Sequence, residues 1–237
     1  MAMTADQIVK QLKALGTDSY KKVMIKHGAR EPFFGVKIED LKKIQKRVKT
    51  DYQLALDLYD TGVSDAMYLA GLIADDARMT KKDLQRWVKK AYFPLLYEYT
   101  VPWVAAGSPH GREVALDWIE SKDEAVAAAG WSTLGSLVAV ATDAELDMAE
   151  LKRLLERVQR TIHQQPNRVR YVMNGFVIAV GCYVKSLTQA ALRTAKEIGA
   201  VTVDMDGTAC KVPSAADYIR KVGQRGSIGV KRKSAKC

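Results

Sequence analysis

The sequence predicts an all-α protein in which antiparallel helix pairs stack into a solenoid. Apolar residues recur three or four positions apart along almost the whole chain, with charged residues between them, which is the pattern of amphipathic helices. The connecting segments are short and contain Gly, Ser, Asp or Pro, so neighbouring helices must pack antiparallel. About a dozen helices are too many for one small bundle, and the strand pattern of an α/β fold is almost absent.

Capping residues mark the first helix boundaries. Thr4 caps a first helix that Gly16 ends, and Thr17 or Asp18 caps a second helix that ends at about His27. The same periodicity predicts further helices over residues 38–49, 51–59, 64–74, 81–92, 95–106, 110–119, 124–140, 147–164, 168–184, 187–198 and 215–222. Stacked pairs of this kind are typical of HEAT-like and ARM-type α-solenoids.

One segment near the C-terminus has a strand pattern instead. VTVDM and TACKV flank Asp206-Gly207, a dipeptide that favours the type I′ turn of a β-hairpin. We therefore expect a small β-hairpin over residues 200–213. Residues 1–222 are expected to form a single helical-repeat domain, and residues 223–237, rich in Gly, Ser and Lys, a basic flexible tail.

The charge balance favours a polyanionic partner. The chain has 37 Lys and Arg against 27 Asp and Glu, a net charge of +10, and such residues release counterions when they meet phosphates. Nucleic acid is the partner that we expect. Much of the excess lies in residues 218–237, which contain no acidic residue and are either a DNA contact or a solubilising end. The basic residues of this segment are Arg220, Lys221, Arg225, Lys231, Arg232, Lys233 and Lys236.

Several other classes of site and location are disfavoured. The 3 cysteines are far apart and unpaired in spacing, which favours a reducing, cytoplasmic setting over a disulfide framework. The N-terminus lacks the pattern of a signal peptide, and no apolar run reaches the roughly 18 residues of a membrane span. His27, His110 and His163 are scattered, so neither a metal site nor any other cofactor is expected.

The segment Val203 to Thr208 matches the D-x-D-G-T motif of haloacid-dehalogenase-like phosphatases. In those enzymes the motif ends the first strand of an α/β domain that supplies the other catalytic groups further along the chain. Because only about 30 residues follow here, and a motif counts only in its structural context, we reject a phosphatase site at Asp204 and Asp206.

Aromatic and basic residues in the middle of the chain are candidates for nucleic-acid contact. Tyr92, Tyr97 and Trp103 either stack on unpaired bases or fill the core, whereas Trp118 and Trp131 are expected to be core residues. Arginines at the start of a helix suit a phosphate, although solvated surface is an equal alternative. The basic candidates for the DNA backbone are Lys42, Lys43, Lys46, Arg47, Arg168, Arg170, Lys231, Arg232 and Lys233.

Residues 31–44, EPFFGVKIEDLKKI, contain a segment that resembles the F-x-G-V-x-x-x-x-L-[RK] motif of the AlkD-like DNA alkylation repair family. The helix count, the length, the basic charge and the later segment MNGFVI at 173–178 are also similar to that family. The resemblance implies a monomeric HEAT-like solenoid that clasps duplex DNA in a concave basic face. The active relatives excise cationic N3- and N7-alkylated purines without a metal.

The resemblance also implies a site made of an aspartate after a tryptophan pair, an arginine on a later helix and a further tryptophan. A carboxylate stabilises an oxocarbenium-like sugar, and aromatic faces hold a cationic base. By position, Tyr97 replaces the aspartate, with Glu98 adjacent as the candidate catalytic carboxylate, and Phe176 replaces the later tryptophan. The arginine position falls near residues 127–130, where no basic residue occurs. We therefore expect weak or absent glycosylase activity.

A second hypothesis is a helical-repeat scaffold for other proteins, because stacked repeats usually present a concave surface to peptides or domains. A continuous stripe of Lys and Arg on that surface would indicate DNA, and a mixed or apolar groove would indicate a protein partner.

Overall fold

The computed structural model describes residues 3–205, 207–208 and 210–236, and the regular secondary structure within these ranges is entirely helical. The predicted all-α fold is confirmed. The helices of these ranges are α1 (Ala5–Leu15), α2 (Asp18–Lys26), α3 (Ile38–Val48), α4 (Tyr52–Asp60), α5 (Ser64–Ile73), α6 (Lys81–Lys90), α7 (Val101–Gly107), α8 (Gly111–Trp118), α9 (Glu124–Val140), α10 (Met148–Thr161), α11 (Asn167–Tyr183), α12 (Thr188–Ile198) and α13 (Ala215–Gln224). A π-helix, Leu95–Thr100, leads directly into α7.

The helix ends follow the capping chemistry that the sequence predicts. The Thr4 hydroxyl accepts a hydrogen bond from the Gln7 amide, and the Gln7 side chain accepts from the Thr4 amide, so both orphan donors are satisfied. Thr17 caps α2, and Asp123 caps α9 with one carboxylate oxygen that accepts from two amides. Local caps therefore determine where these helices begin.

The helices share one continuous core that runs from Ile8 in α1 to Ile219 in α13. Three helices are central: α5 packs on α3, α4 and the π-helix, α9 on α7, α8 and α11, and α11 on α12 and α13. Glycines permit some of these approaches. A Cβ atom at Gly71 of α5 would lie 2.4 Å from the Thr100 methyl group, which is closer than packed atoms come.

The predicted β-hairpin over residues 200–213 is wrong, since the described part of this segment contains no strand. A turn does form, in which the Thr208 amide donates to the Met205 carbonyl and Gly207 has φ of 70°. Asp206 lies outside the described residues. The chain before the turn bonds to α11 instead of to a partner strand, because the Asn167 side chain donates to the Asp204 carbonyl and accepts from the Asp204 amide, both at 2.8 Å.

Residues 227–236, part of the expected flexible tail, make specific contacts with the rest of the protein, and we call them the C-terminal strap. The Gly229 amide donates to the Cys182 carbonyl at the end of α11, and the Arg232 amide donates to the Ala139 carbonyl at the end of α9, both at 2.8 Å. The last carbonyls of a helix have no partner within the helix. The strap therefore caps the ends of two central helices.

Two lysines of the strap extend this capping. Lys231 Nζ lies 3.0 Å from a carbonyl in the last turn of α9 and 3.0 Å from the carboxylate of Asp143. Lys236 Nζ lies 2.9 Å from the carbonyl that follows α5 and 2.8 Å from Asp76. Cations are favourable at helix C-termini, where the helix dipole is negative. The strap thus connects α11, α9 and α5.

Within the described ranges, no single helix has both the length and the apolar composition of a membrane span. Among the described residues, one pair of segments passes that test together, α11 and residues 185–198, and these are bent by 114° relative to each other.

Candidate functional site

The site is built around Glu98, which the sequence predicts as the candidate carboxylate. Glu98 lies on the π-helix between α6 and α7, and its side chain is 1% exposed. The Thr100 hydroxyl donates to the Leu95 carbonyl at 3.0 Å, five residues back, which matches the wider turn. Pro102 has no amide hydrogen to donate four residues back, to the Glu98 carbonyl. Wide turns of this kind are frequent at functional sites.

Arg168 forms a bidentate ion pair with Glu98. Arg168 Nε donates to Glu98 Oε1 at 2.6 Å and Nη2 donates to Oε2 at 2.7 Å. The Arg168 side chain is 13% exposed. Its backbone amide donates to Glu124 Oε1 at 2.6 Å, which fixes the first turn of α11 against the start of α9. Parallel charge-assisted bonds of this type combine strength with a defined orientation.

The environment of the pair is aromatic and largely buried. The Arg168 guanidinium lies 4.7 Å from the ring centre of Tyr171, and Nη1 lies 3.7 Å from the Met205 sulfur. Burial raises the pKa of Glu98, and the hydrogen bonds from Arg168 act in the opposite direction. Burial acts to lower the pKa of Arg168, but the bonds to Glu98 outweigh it and raise that pKa, so the guanidinium stays charged.

Two cavities meet at Glu98. A cavity of about 190 Å³ lies beside α2 and the π-helix, and its walls include Met24, His27, Phe93, Leu95 and Met205. A cavity of about 660 Å³ lies between α9 and α11 and continues to α13 and the C-terminal strap. Glu98, Tyr99 and Tyr171 line both cavities. Burial raises the pKa of Tyr99, which lies beside Tyr171.

The candidate stacking residues have different environments. Trp103 and Phe176 line the larger cavity, but they are only 8% and 1% exposed, and Phe176 packs edge-on against Trp131. Tyr92 is half-buried and donates its hydroxyl toward the Gly62 carbonyl at 3.3 Å. Tyr97 is 8% exposed and lines neither cavity. The larger cavity therefore brings Trp103 and Phe176 together with Glu98, and it excludes Tyr92 and Tyr97.

The position where the resemblance implies an arginine has no basic residue, and the guanidinium beside Glu98 comes from another helix. Residues 127–130 are buried Ala, Ala, Ala and Gly on α9. Arg168 of α11, which we considered as a phosphate contact, instead supplies the guanidinium beside the carboxylate. Sequence reasoning missed Tyr99, Tyr171 and Glu124 as parts of this site. Tyr99 and Tyr171 are adjacent in sequence to the candidates Glu98 and Arg170. No rule of residue spacing predicts that two helices so far apart in sequence come into contact.

The other basic candidates lie on α3, on α11 and in the C-terminal strap. On α3, Lys43 pairs with Asp40 at 2.7 Å, and Arg47 donates to Gln11. Arg170 is half-buried and contacts Asn167. Exposed basic side chains among the candidates are Lys43, Lys46, Arg47, Arg232 and Lys233, whereas Lys42 and Lys231 are half-buried. In the described part of the chain, no cluster of three His, Cys, Asp or Glu residues could hold a metal ion.

The stacked helix pairs define this chain as a helical-repeat protein. A model of the DNA alkylation repair enzyme family matches residues 8–203. The chain belongs to this family, and the resemblance stated for residues 31–44 is confirmed.

Relatives and a solved structure match nearly the whole chain. The uncharacterized proteins Lin0241 of Listeria innocua and Lmo0209 of Listeria monocytogenes are 31% and 32% identical to it over 229 residues, with 94% of this chain and 99% of each relative covered. A solved structure described as belonging to "a new family of proteins related to the HEAT-like repeat DNA glycosylases with affinity for branched DNA structures" is 38% identical. It superimposes with a TM-score of 0.91 over 99% of this chain and 100% of that chain. The HEAT-like fold is confirmed by this likeness.

Proposed function

We propose that this protein binds branched DNA and does not excise alkylated bases. The observation that carries the proposal is the likeness, over 99% of the chain, to a protein related to HEAT-like repeat DNA glycosylases that has affinity for branched DNA. The net charge of +10 supports a nucleic-acid partner, because phosphate contacts dominate the affinity of DNA-binding proteins.

The geometry of Glu98 supports the absence of excision. A glycosylase carboxylate must face the sugar or a water molecule as the bond to the base breaks. Both oxygens of Glu98 accept hydrogen bonds from Arg168, and the side chain is 1% exposed. The carboxylate can reach a substrate only if the bidentate pair opens. We infer that the pair is a structural tie between the π-helix and α11.

DNA binding is tested with fluorescently labelled DNA of matched composition. A four-way junction and a linear duplex of equal length are titrated with the protein across a salt series. The junction is expected to bind more tightly, with a log–log salt slope of several units, since about one counterion is released for each phosphate contact. Equal or tighter binding to the linear duplex would contradict the preference for branches. No binding of either DNA at low salt would instead favour the protein scaffold.

A second candidate function is base excision by an altered site, which is favoured by the position of Glu98 in the wall of both cavities. The test is release of 7-methylguanine and 3-methyladenine from alkylated DNA, with Glu98→Gln as the matched control. We expect no release above that control. Release by the wild type that Glu98→Gln abolishes, with DNA binding retained, would establish the second candidate and refute the first on this point.

A further inference from the structure

The larger cavity extends well beyond Glu98, toward α13 and the C-terminal strap. With a volume of about 660 Å³ it is far larger than the space that one carboxylate site requires. Its far end is lined by Cys182 and Tyr183 of α11, Tyr218 of α13 and Arg232 of the strap. We call this end of the cavity the distal subsite.

Aromatic rings and a cation meet at the distal subsite. Tyr183 is half-buried and Tyr218 is 50% exposed, so part of each ring is available to a ligand. Arg232 and Tyr218 both lie close enough to Tyr183 to influence its pKa, which burial raises and Arg232 lowers. Such a combination provides faces for stacking and a charge for an anion.

The charge of Arg232 is available, unlike that of its neighbour Lys231. Lys231 is occupied by Asp143 and by a carbonyl of α9. The Arg232 side chain is exposed and takes part in none of the ion pairs between described residues, whereas its backbone amide is anchored to Ala139. The strap therefore holds the guanidinium at the cavity mouth without neutralising it.

Two glycines leave space in the wall of the same cavity. A Cβ atom at Gly175 of α11 would meet no atom within 4 Å, and one at Gly135 of α9 would only reach ordinary contact distance, 3.8 Å from Ala179. Both glycines line the cavity. The cavity is thus open at these two positions, and a flat group can enter it there.

We propose that the distal subsite receives one unpaired nucleotide of a branched DNA, with its base against Tyr183 and Tyr218 and its phosphate on Arg232. This inference rests on the proposed function and adds the part of the DNA that is recognised. Stacking on tyrosine accepts any base, because every base has a π face. A branch point can carry unpaired bases, whereas a continuous duplex keeps its bases paired.

The proposal is tested with three DNAs of equal length: a linear duplex, a fully paired four-way junction, and the same junction with one unpaired 2-aminopurine at the branch point. We expect the unpaired-base junction to bind about tenfold more tightly than the fully paired junction, in line with the stacking of one base on an aromatic side chain. The 2-aminopurine fluorescence should fall on binding, since stacking quenches it.

Variants localise the effect. Tyr218→Ala should abolish both the quenching and the tenfold preference, and Tyr218→Phe should retain them, because stacking needs the ring and not the hydroxyl. Arg232→Ala should reduce the preference for the unpaired base, whereas Lys233→Ala, which removes the same charge from a neighbour outside the cavity, should weaken binding of both junctions equally. Gly175→Phe places a ring at the cavity wall and should also reduce the preference.

The outcomes separate this inference from the proposed function. Tight binding of the fully paired junction without any preference or quenching for the unpaired base would overturn the distal subsite and leave branched-DNA binding intact. Failure to bind either junction would overturn both. Quenching that persists in Tyr218→Ala and Gly175→Phe would place the unpaired base elsewhere on the protein and would also refute the subsite.

Discussion

Replacing Glu98 with glutamine is expected to lower the free energy of unfolding by about 3–5 kcal/mol, the range for breaking a buried ion pair by removing one partner. The magnitude follows from burial. The side chains of Glu98 and Arg168 are 1% and 13% exposed, so the guanidinium left behind cannot recover its hydration. A glutamine retains one acceptor oxygen, but it presents an NH₂ group to the second guanidinium donor and lacks the negative charge.

The same chain offers a matched control for this prediction. Arg112 and Glu150 also form a bidentate pair, at 2.9 and 2.6 Å, but Arg112 is 56% exposed. Glu150→Gln should therefore cost no more than about 1 kcal/mol, as exposed pairs usually do. Urea denaturation of both variants measures the two losses in the free energy of unfolding, provided that the dependence of this free energy on urea concentration is the same for both.

The double variant Glu98→Leu with Arg168→Met completes the argument. Replacing a buried ion pair by apolar residues of similar volume is often neutral or stabilising, so most of the single-variant loss should be recovered. The reasoning is refuted if Glu98→Gln costs as little as Glu150→Gln, or if the losses at Glu98 and Arg168 simply add. Additivity would mean that the two side chains do not interact in solution.

Three further predictions concern stability. Burial raises the pKa of Asp76 to about 6 despite Lys236, so the stability that this carboxyl contributes is full below pH 3.8 and is lost as the pH rises through 6. The stability of Asp76→Asn relative to wild type should accordingly rise by up to about 3 kcal/mol between pH 4 and 7 in urea titrations. A difference that stays constant over this range would contradict the shift. Gly71→Ala should lower the melting temperature by an amount equivalent to about 1–3 kcal/mol because its Cβ would overlap Thr100, and an unchanged melting temperature would mean that the two helices are not in close contact. Gly207→Val should lower the free energy of unfolding by about 1–3 kcal/mol through backbone strain alone, since Gly207 has φ of 70° and no atom lies within 4 Å of a Cβ there. Calorimetry should show this loss, and its absence would argue against the left-handed turn.

The helices were predictable because the signals that form them are local. Residues 124–140 were predicted as one helix and form α9 with the same bounds, since Asp123 caps the start and apolar residues continue to Val140. The predicted helix at 95–106 differs in kind, because its first six residues form a π-helix. Hydrophobic periodicity indicates that such a segment is helical, but it does not resolve one wider turn.

The β-hairpin was mispredicted because a local turn signal competed with a tertiary contact. The Asp206-Gly207 dipeptide favours a reversal, and a turn does occur from Met205 to Thr208. The ladder does not form, because the Asn167 side chain satisfies both backbone groups of Asp204 and the Asn174 side chain donates to the Pro213 carbonyl at 2.9 Å. The two asparagine side chains are 37 and 39 residues away in sequence from the backbone groups that they bond, so the segment itself contains no signal for these contacts.

The C-terminal strap shows that the order of a charged segment can also depend on tertiary contacts that its own sequence does not indicate. Its composition is that of a solvated tail, and composition says nothing about helix ends that need partners. In the structure, the carbonyls at the ends of α5, α9 and α11 provide those partners, and the lysine side chains are long enough to reach two of them. A basic segment that follows a helical-repeat domain can therefore be ordered by the backbone charges of the repeats.

The carboxylate and the arginine of the site could each be singled out from sequence, but their pairing could not, since Glu98 and Arg168 are 70 residues apart. Their pairing changes the meaning of both. A lone buried carboxylate beside aromatic rings is a candidate catalyst, and a lone arginine at a helix start is a candidate phosphate ligand. Once the two side chains are paired, neither is available to a ligand. A ligand can instead bind to residues whose backbone is anchored and whose side-chain charge is not neutralised. Arg232 at the far end of the larger cavity meets that condition.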